Sequence, residues 1–379
     1  MKVIIAPDKF KGSLTSFEVC NAIAAGIKRS GKNIDTLNFP MADGGDGFAS
    51  VMQYYLDTKT IECSTTDPLG RTIAASYQWN ESTGTAIIEM ATASGLVLLK
   101  QEERNPLKTS SYGTGILIKD AVVNRGARKI VLGVGGSATN DGGMGILAAL
   151  GFQFTDAAGN LLQGVGENLV LVDTIIPPAT KPGINFEIAC DVQNVLYDKH
   201  GAAFTYAPQK GASAGEVQLL DEGLKNFAAI LKQQTGIDIA TVPGTGAAGG
   251  VAAGLLSFFN TAIKSGIGMI IAASNIKSKI AGADLLITGE GKIDQQTLQG
   301  KVVSSLAQLA QQNQIPAIAF CGILEASDSL LKKLQLQSVE CISSPVISAA
   351  ESMANAKQLL ADKAAKYFKL YPTGNIKET

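Results

Sequence analysis

Apolar positions along this chain gather in short runs separated by longer amphipathic stretches. Residues 3–6 form an apolar run ended by Pro7-Asp8, which reads as a buried strand. Thr15-Ser16-Phe17-Glu18 has the spacing of a capping box and predicts a helix from there to Arg29. Residues 34–39 alternate as a second strand. Further strands are expected at 60–65, 73–79, 85–89, 129–134, 186–189, 284–287 and 317–320, with helices near 114–125, 216–233, 247–262, 302–313 and 352–369. Short apolar strands alternating with helices predict an α/β protein with mainly parallel sheets.

A chain of 379 residues has room for two or three domains. No internal repeat marks a boundary, but the texture changes along the chain. Segment 66–283 is glycine-rich with longer loops, whereas 1–65 and 284–379 read as tight βα alternation. The expectation is therefore one discontinuous domain, 1–65 with 284–379, and an inserted domain, 66–283.

Composition narrows the function classes. Apolar residues make up 46% and charged residues 17%, and the net charge is −1 without any run of Lys or Arg. Neither nucleic acid nor an anionic membrane is an expected partner. No stretch approaches a membrane span; the segment from Gly246 to Phe259 is too short and too rich in glycine. The opening has a run of only four apolar residues, Val3 to Ala6, before Pro7, too few for a signal peptide. Five scattered cysteines (20, 63, 190, 321 and 341) without a CxxC suggest reduced thiols, and hence a cytoplasmic protein. No residue pattern specifies an oligomeric state.

The chemistry is concentrated where strands end. The first strand runs into Pro7-Asp8-Lys9-Phe10-Lys11-Gly12-Ser13 and the second into Pro40-Met41-Ala42-Asp43-Gly44-Gly45-Asp46-Gly47. The strand at 129–134 is followed by Gly135-Gly136-Ser137-Ala138-Thr139-Asn140-Asp141-Gly142-Gly143, and that at 186–189 by Asp191-Val192-Gln193-Asn194. The strand at 284–287 leads to Thr288-Gly289-Glu290-Gly291-Lys292-Ile293-Asp294. Ligands of open α/β sheets bind beyond the carboxyl ends of strands. Glycines let backbone N–H groups approach phosphate, carboxylates hold Mg, and lysine neutralises phosphate charge, so the set suits phosphoryl transfer. Taken singly, each Asp-Gly pair also reads as an ordinary turn.

Other chemistries have weaker signals. Gly133-x-Gly135-x-x-Ala138 with Asp156 imitates a nicotinamide-binding fingerprint, although Asn140-Asp141 and three further glycines interrupt the helix it requires. Gly244-x-Gly246-x-x-Gly249 reads equally as a close-packed helix start. No Gly-Lys-Ser/Thr exists, so this is not a Walker-A protein. The only histidine, His200, lies in a loop, and a Ser-His-Asp or Cys-His mechanism would depend on it alone. A base is expected from Asp or Glu. A binding protein without turnover stays open beside the enzyme readings.

Several of these segments, with others, resemble one family. Ala6-Pro7-Asp8-Lys9-Phe10-Lys11-Gly12-Ser13-Leu14 and Pro40-Met41-Ala42-Asp43-Gly44-Gly45-Asp46-Gly47 are similar to the opening motifs of bacterial glycerate kinases of the class that mainly forms 2-phosphoglycerate. The likeness continues through Ile88-Glu89-Met90-Ala91, Ala93-Ser94-Gly95-Leu96, Arg104-Asn105-Pro106-Leu107, Tyr112-Gly113-Thr114-Gly115 and the run 135–143. It ends with Pro208-Gln209-Lys210-Gly211-Ala212, the Gly244–Gly250 segment, Ile287–Asp294, Gln296-Thr297-Leu298 and Gly300-Lys301. Lys9 stands where the family has Ser, Val195 where it usually has Pro, and Asp198 where Gly is common.

The resemblance implies two α/β domains with mainly parallel sheets around a cleft, one of them discontinuous. It implies transfer of the γ-phosphoryl group of ATP to a hydroxyl of D-glycerate with Mg; O2 is the favoured acceptor, and the sequence leaves O3 open. On that reading Asp191 is the candidate base, with Asp8, Asp43 and Asp294 as rivals. Glu290 and Asp294 are candidate Mg ligands. Gly135, Gly136, Ser137, Thr139 and Asn140 would cradle phosphate, with Lys11 or Lys292 closing on it. Arg71 and Lys11 are candidates for the glycerate carboxylate, assisted by Ser94 and the backbone at Gly44 and Gly45; a structural ion pair is the competing role for Arg71.

Overall fold

A computed structural model of the chain describes residues 1–298, 301–344 and 347–371, without the side chains of Gln296 and Asp328. Gly300 and the Gln296 side chain, both in motifs quoted above, lie outside the described residues. The strands run in chain order as β1 (Lys2–Ile5), β2 (Asp35–Asn38), β3 (Lys59–Thr66), β4 (Thr72–Asn80), β5 (Thr85–Glu89), β6 (Lys129–Gly133), β7 (Gln153–Thr155), β8 (Thr174–Ile176), β9 (Asn185–Ala189), β10 (Asn260–Lys264), β11 (Leu285–Ile293), β12 (Ala317–Leu324) and β13 (Ser338–Cys341). The fold is α/β with mainly parallel sheets. None of the described helices is long and apolar enough to cross a membrane.

Two compact units divide the chain: Met1–Asp43 with the chain from Ile267 onward, and Gly44–Gly266. The divisions expected from sequence, at 65/66 and 283/284, are displaced for a physical reason. β3 pairs with β4 from Lys59↔Trp79 to Thr66↔Thr72, so its backbone groups are satisfied within the second unit.

In the first unit, β13-β12-β11-β1-β2 form an all-parallel sheet. β1 and the first halves of β11 and β12 are apolar and buried, as strands covered on both faces must be. One core joins both chain ends: Val3, Ile5, Ile23 and Ile27 pack with Leu285, Ile287, Phe320, Leu360 and Phe368. Helix Ser16–Arg29 starts where expected, since the Thr15 hydroxyl accepts the Glu18 N–H and the Glu18 carboxylate accepts the Thr15 N–H. Helix Val302–Gln312 contributes Val303 to a second cluster with Ile293, Ala319, Cys321 and Leu330.

In the second unit, β10-β9-β6-β5 are parallel, and β4 and β3 extend the sheet antiparallel. β7 and β8 form a separate two-stranded ribbon. The helix expected at 247–262 is shorter: Val251–Phe258 is helical, and the chain then enters β10. Phe258 and Phe259 pack against Phe152, and Phe259 also against Phe186, which turns the chain so that Asn260 to Lys264 pair with β9. β11 likewise outruns its expected end at 287, because β12 pairs with it as far as Ile293↔Leu324.

Helix Ser16–Arg29 crosses helix Ala356–Leu370 at Gly26, where an added Cβ would lie 2.3 Å from the Ala361 carbonyl oxygen and 2.6 Å from the Ala364 Cβ. On helix propensity alone, Gly26→Ala would stabilise by about 1 kcal/mol. Overpacking reverses the sign, and a net loss of about 1–3 kcal/mol is expected in urea unfolding. A midpoint at or above that of the wild type would contradict this packing.

Candidate active site

Three neighbouring strands of the first unit, β11, β1 and β2, each supply a carboxylate near the carboxyl end. Pairing continues past the strands: the Asp8 N–H donates to the Gly289 carbonyl (2.8 Å) and the Met41 N–H to that of Pro7 (3.0 Å). Asp8 follows β1, Asp43 follows β2, and Glu290 lies within β11. The Thr297 hydroxyl donates to Glu290 Oε1 (2.6 Å) and accepts the Asp294 N–H (3.1 Å), which ties the turn after β11 back to the strand.

Burial, and then the charge of Asp43, pushes the Asp8 carboxyl up to about 7; Lys9 opposes the rise and Glu290 adds to it. Burial pushes Glu290 up to about 7 as well, against the Thr297 hydrogen bond and Lys301, with Asp294 and Asp43 adding to the rise. Carboxylates crowded until two of them hold protons near neutrality form a place where a cation is favourable. Among the described residues, no three His, Cys, Asp or Glu side chains form a ready metal cage. That donor set fits Mg, which takes one or two carboxylates and completes its shell with substrate phosphate and water.

The second unit is built differently, from backbone. Gly44 and Gly45 run over the ends of β9 and β6. A Cβ at Gly44 would lie 2.9 Å from the Ala189 oxygen, and one at Gly135 would lie 2.3 Å from the Gly45 Cα. In the loop after β6, Gly136 is exposed with φ +72 and Gly135 is partly exposed, while Thr139 and Asn140 are fully buried. Asp141, also fully buried, holds this loop. Its carboxylate accepts the Ser111 N–H (2.7 Å), the Ser111 hydroxyl (2.7 Å) and the N–H groups of Gly143 (3.1 Å) and Gly145 (3.2 Å). Burial raises the Asp141 pKa, and these four donors oppose the rise. From beneath, Lys210 Nζ donates to Ser137 Oγ (2.9 Å) and to the Thr139 carbonyl (2.7 Å). Thr139 Oγ1 and both amide atoms of Asn140 are buried without a hydrogen-bond partner.

Asp191 stands just beyond β9, where the Ser265 hydroxyl, just beyond β10, donates to its Oδ1 at 2.6 Å. The Cys190 N–H donates to the Lys264 carbonyl (2.8 Å) and aligns the two strand ends. β6 is the other neighbour of β9, with Gly133 opposite Ala189, so Asp191 and the glycine loop leave adjacent strands.

The remaining candidates are placed as follows. Arg71 is committed to Asp67 (2.5 Å) and Glu103 (2.6 Å). Ser94 is fully buried, hydrogen-bonded to Thr114 Oγ1 (2.8 Å), and its carbonyl accepts the Ala138 N–H, so it supports the glycine loop from inside. Lys11 is exposed, and Lys292 pairs with Glu325 (2.7 Å) and with Asp294 (3.7 Å). Thus Asp8, Lys11, Asp43, Glu290, Lys292 and Asp294 belong to the first unit, and Gly44, Gly45, Arg71, Ser94, the loop 135–140 and Asp191 to the second.

The nicotinamide fingerprint does not assemble. β7 lies in the ribbon with β8 and not in the sheet that holds β6, and Asp156 is spent on its own turn, accepting the N–H groups of Ala158 and Asn160. At Gly246 a Cβ would lie 2.2 Å from the Val195 oxygen, which is close packing. His200 is an exposed loop residue. Sequence reasoning did not single out Lys210, Ser265 or Thr297 as site residues. Lys210 and Thr297 lie inside quoted motifs, whereas Ser265 carries no sequence signal.

Comparison with known proteins points to one family. The model of the "Glycerate kinase family" matches residues 3–372. The chain is 38% identical to a glycerate kinase of Halalkalibacterium halodurans over 96% of both chains, and 42% identical to one of Haemophilus influenzae over 86% of both. It is 40% identical to the glycerate 2-kinase of Escherichia coli, again over 86% of both. A crystal structure from Salmonella typhimurium LT2, described as that of a candidate glycerate kinase 2, superposes with a TM-score of 0.81 at 36% identity, covering 97% of each chain.

The raised pKa of Asp8 makes a stability prediction. With a folded value of about 7, the folded state keeps a proton that the unfolded chain loses from about pH 4 upward. The contribution of Asp8 therefore falls as pH rises through that window. Asp8→Asn is expected to melt above the wild type at pH 8 and much closer to it at pH 5 when followed by circular dichroism. A lower melting temperature for the variant at pH 8 contradicts the crowding described.

Proposed function

Because the chain belongs to the glycerate kinase family, we propose that it transfers the γ-phosphoryl group of ATP to the O2 hydroxyl of D-glycerate, giving ADP and 2-phosphoglycerate. The observation that carries this reading is the similarity, over most of both chains, to a relative named glycerate 2-kinase. A cytoplasmic setting accords with ATP as donor and with five free cysteines.

Roles follow unit by unit. In the second, Asp191 accepts the O2 proton as that oxygen attacks the γ-phosphorus and the bond to the bridging oxygen of ADP breaks. The Ser265 hydrogen bond fixes which way the Asp191 carboxylate faces. The exposed backbone at Gly136, with Ser137, takes phosphate oxygens, while the Gly135 N–H is directed to the Gly44 carbonyl (3.4 Å) and holds the loop in place; Thr139 and Asn140 shape the loop from its buried side. Backbone at Gly44 and Gly45 takes the glycerate carboxylate, with Ser94 in support. Arg71 keeps the structural ion-pair role, since its guanidinium is already engaged by Asp67 and Glu103.

In the first unit, Glu290 and Asp294 hold Mg, with Asp8 and Asp43 supplying the surrounding negative charge. When bound, Mg neutralises charge on the transferring phosphoryl group. Lys292, beside Asp294, takes phosphate charge in the same neighbourhood.

The test is ADP release that depends on ATP, Mg and D-glycerate, with the product offered to enolase in the absence of a mutase. Direct conversion by enolase is expected; release without conversion moves the phosphoryl group to O3, and no release from folded protein removes the reading. Asp191→Asn is expected to lower kcat by about 10²–10⁴-fold with nucleotide affinity little changed. Near-normal turnover would pass the base role to Asp8 or Asp43. Glu290→Gln is expected to raise the Mg concentration needed for half-maximal rate, and an unchanged Mg dependence would remove it from the metal site.

A further inference from the structure

The lysine beneath the glycine loop is the least expected charge in the molecule. Lys210 closes the short turn Pro208–Lys210, and Gly211 follows with φ 101. A Cβ on Gly211 would lie 2.1 Å from the Arg104 oxygen, so this turn is pressed against the segment at 104. Lys210 is 2% exposed. Its ammonium has three donors, and the structure gives two of them acceptors, Ser137 Oγ and the Thr139 carbonyl.

Among the described residues, no carboxylate lies in ion-pair contact with Lys210. Asp141 is the carboxylate whose field reaches it, and Arg104 lies in the segment against which Gly211 packs. Asp141 acts on it only through its field, because the carboxylate is already occupied by Ser111, Gly143 and Gly145. A buried ammonium without a contact partner costs stability, and an apolar side chain of similar size would serve a purely structural purpose better. The charge makes sense if an anion approaches from the other side of Ser137, where Gly136 is exposed. Beside it, Thr139 Oγ1 and the two Asn140 amide atoms are buried polar groups without partners.

We propose that Lys210 is the positioning residue of the phosphate loop: it holds the Ser137–Thr139 turn in shape and places a positive charge behind it that the ATP phosphates meet through Ser137 and the loop amides. The proposal rests on the reading of residues 135–140 as the phosphate cradle. Burial pulls the lysine down to about 7, so an arriving anion favours its protonated form and nucleotide binding takes up a proton near neutrality.

The experiment is ADP titration by calorimetry between about pH 6 and 9, on wild type, Lys210→Met and Gly136→Val, with melting temperatures recorded alongside. Lys210→Met is expected to melt at or above the wild type at pH 6.5, yet to bind ADP at least about tenfold more weakly there, the weight of one hydrogen bond from a charged group. The two affinities should converge above about pH 8, where the wild-type lysine is neutral. Titration of the nucleotide itself is common to both proteins and cancels in the comparison. Affinity within twofold of the wild type at every pH, or a loss that is the same at every pH, overturns the proposal. If Lys210→Met does not fold, wild-type binding in buffers of different ionisation enthalpy decides: proton uptake beyond that of the nucleotide is expected, and its absence overturns the proposal. Gly136→Val separates the two levels. Unchanged ADP affinity in that variant removes the phosphate cradle itself, and Lys210 with it. Weakened affinity there beside normal affinity in Lys210→Met removes the lysine alone.

Discussion

A parallel ladder points the carboxyl ends of its strands the same way, and both units of this chain use that constraint to gather chemistry. In the first, β11, β1 and β2 bring Glu290, Asp8 and Asp43 into each other's fields. In the second, β9 lies between β10 and β6, so Asp191 meets Ser265 on one side and leaves the sheet beside the glycine loop on the other. These residues are far apart in sequence, and they are neighbours because strand order makes them so.

The two units solve opposite electrostatic problems. The first crowds acids, and burial with mutual repulsion raises Asp8 and Glu290 towards neutrality. Such a cluster stores unfavourable energy that a cation releases. The second presents little side-chain charge at its loop, relying on amides brought close by glycine, with one charge of each sign buried beneath: Asp141, satisfied by four donors, and Lys210, satisfied by two acceptors. Backbone exposed at Gly136 can meet an anion without flexible side chains that must first be ordered.

Close backbone approach is the shared structural device. Gly26 lets two helices touch in the first unit, and Gly135 lets the Gly44–Gly45 segment lie on the loop after β6 in the second. At each position a methyl group would have to enter space that other atoms fill. The glycine content of this sequence is therefore largely a matter of packing at these crossings and loops.

Much of this was legible in the residues. The capping box at Thr15 and Glu18, the apolar strands and their alternation with helices are local signals, set by side-chain period and by hydrogen bonds between near neighbours, and they suffice for the fold class. Strand-end loops rich in Asp, Gly and Lys marked the candidate site, and ordered motifs marked the family. What stayed hidden depends on distant partners. β10 is a strand because β9 pairs with it, not because of its own sequence, and β3 belongs with β4 for the same reason. Ser265 carries no pattern at all and meets Asp191 only through the β9–β10 register. Lys210 looked like one charged residue among many until burial showed where its ammonium points. Local periodicity determined which elements form; only the tertiary structure decided which of them are neighbours, and thus which carboxylates, hydroxyls and amines are close enough to change one another's charge.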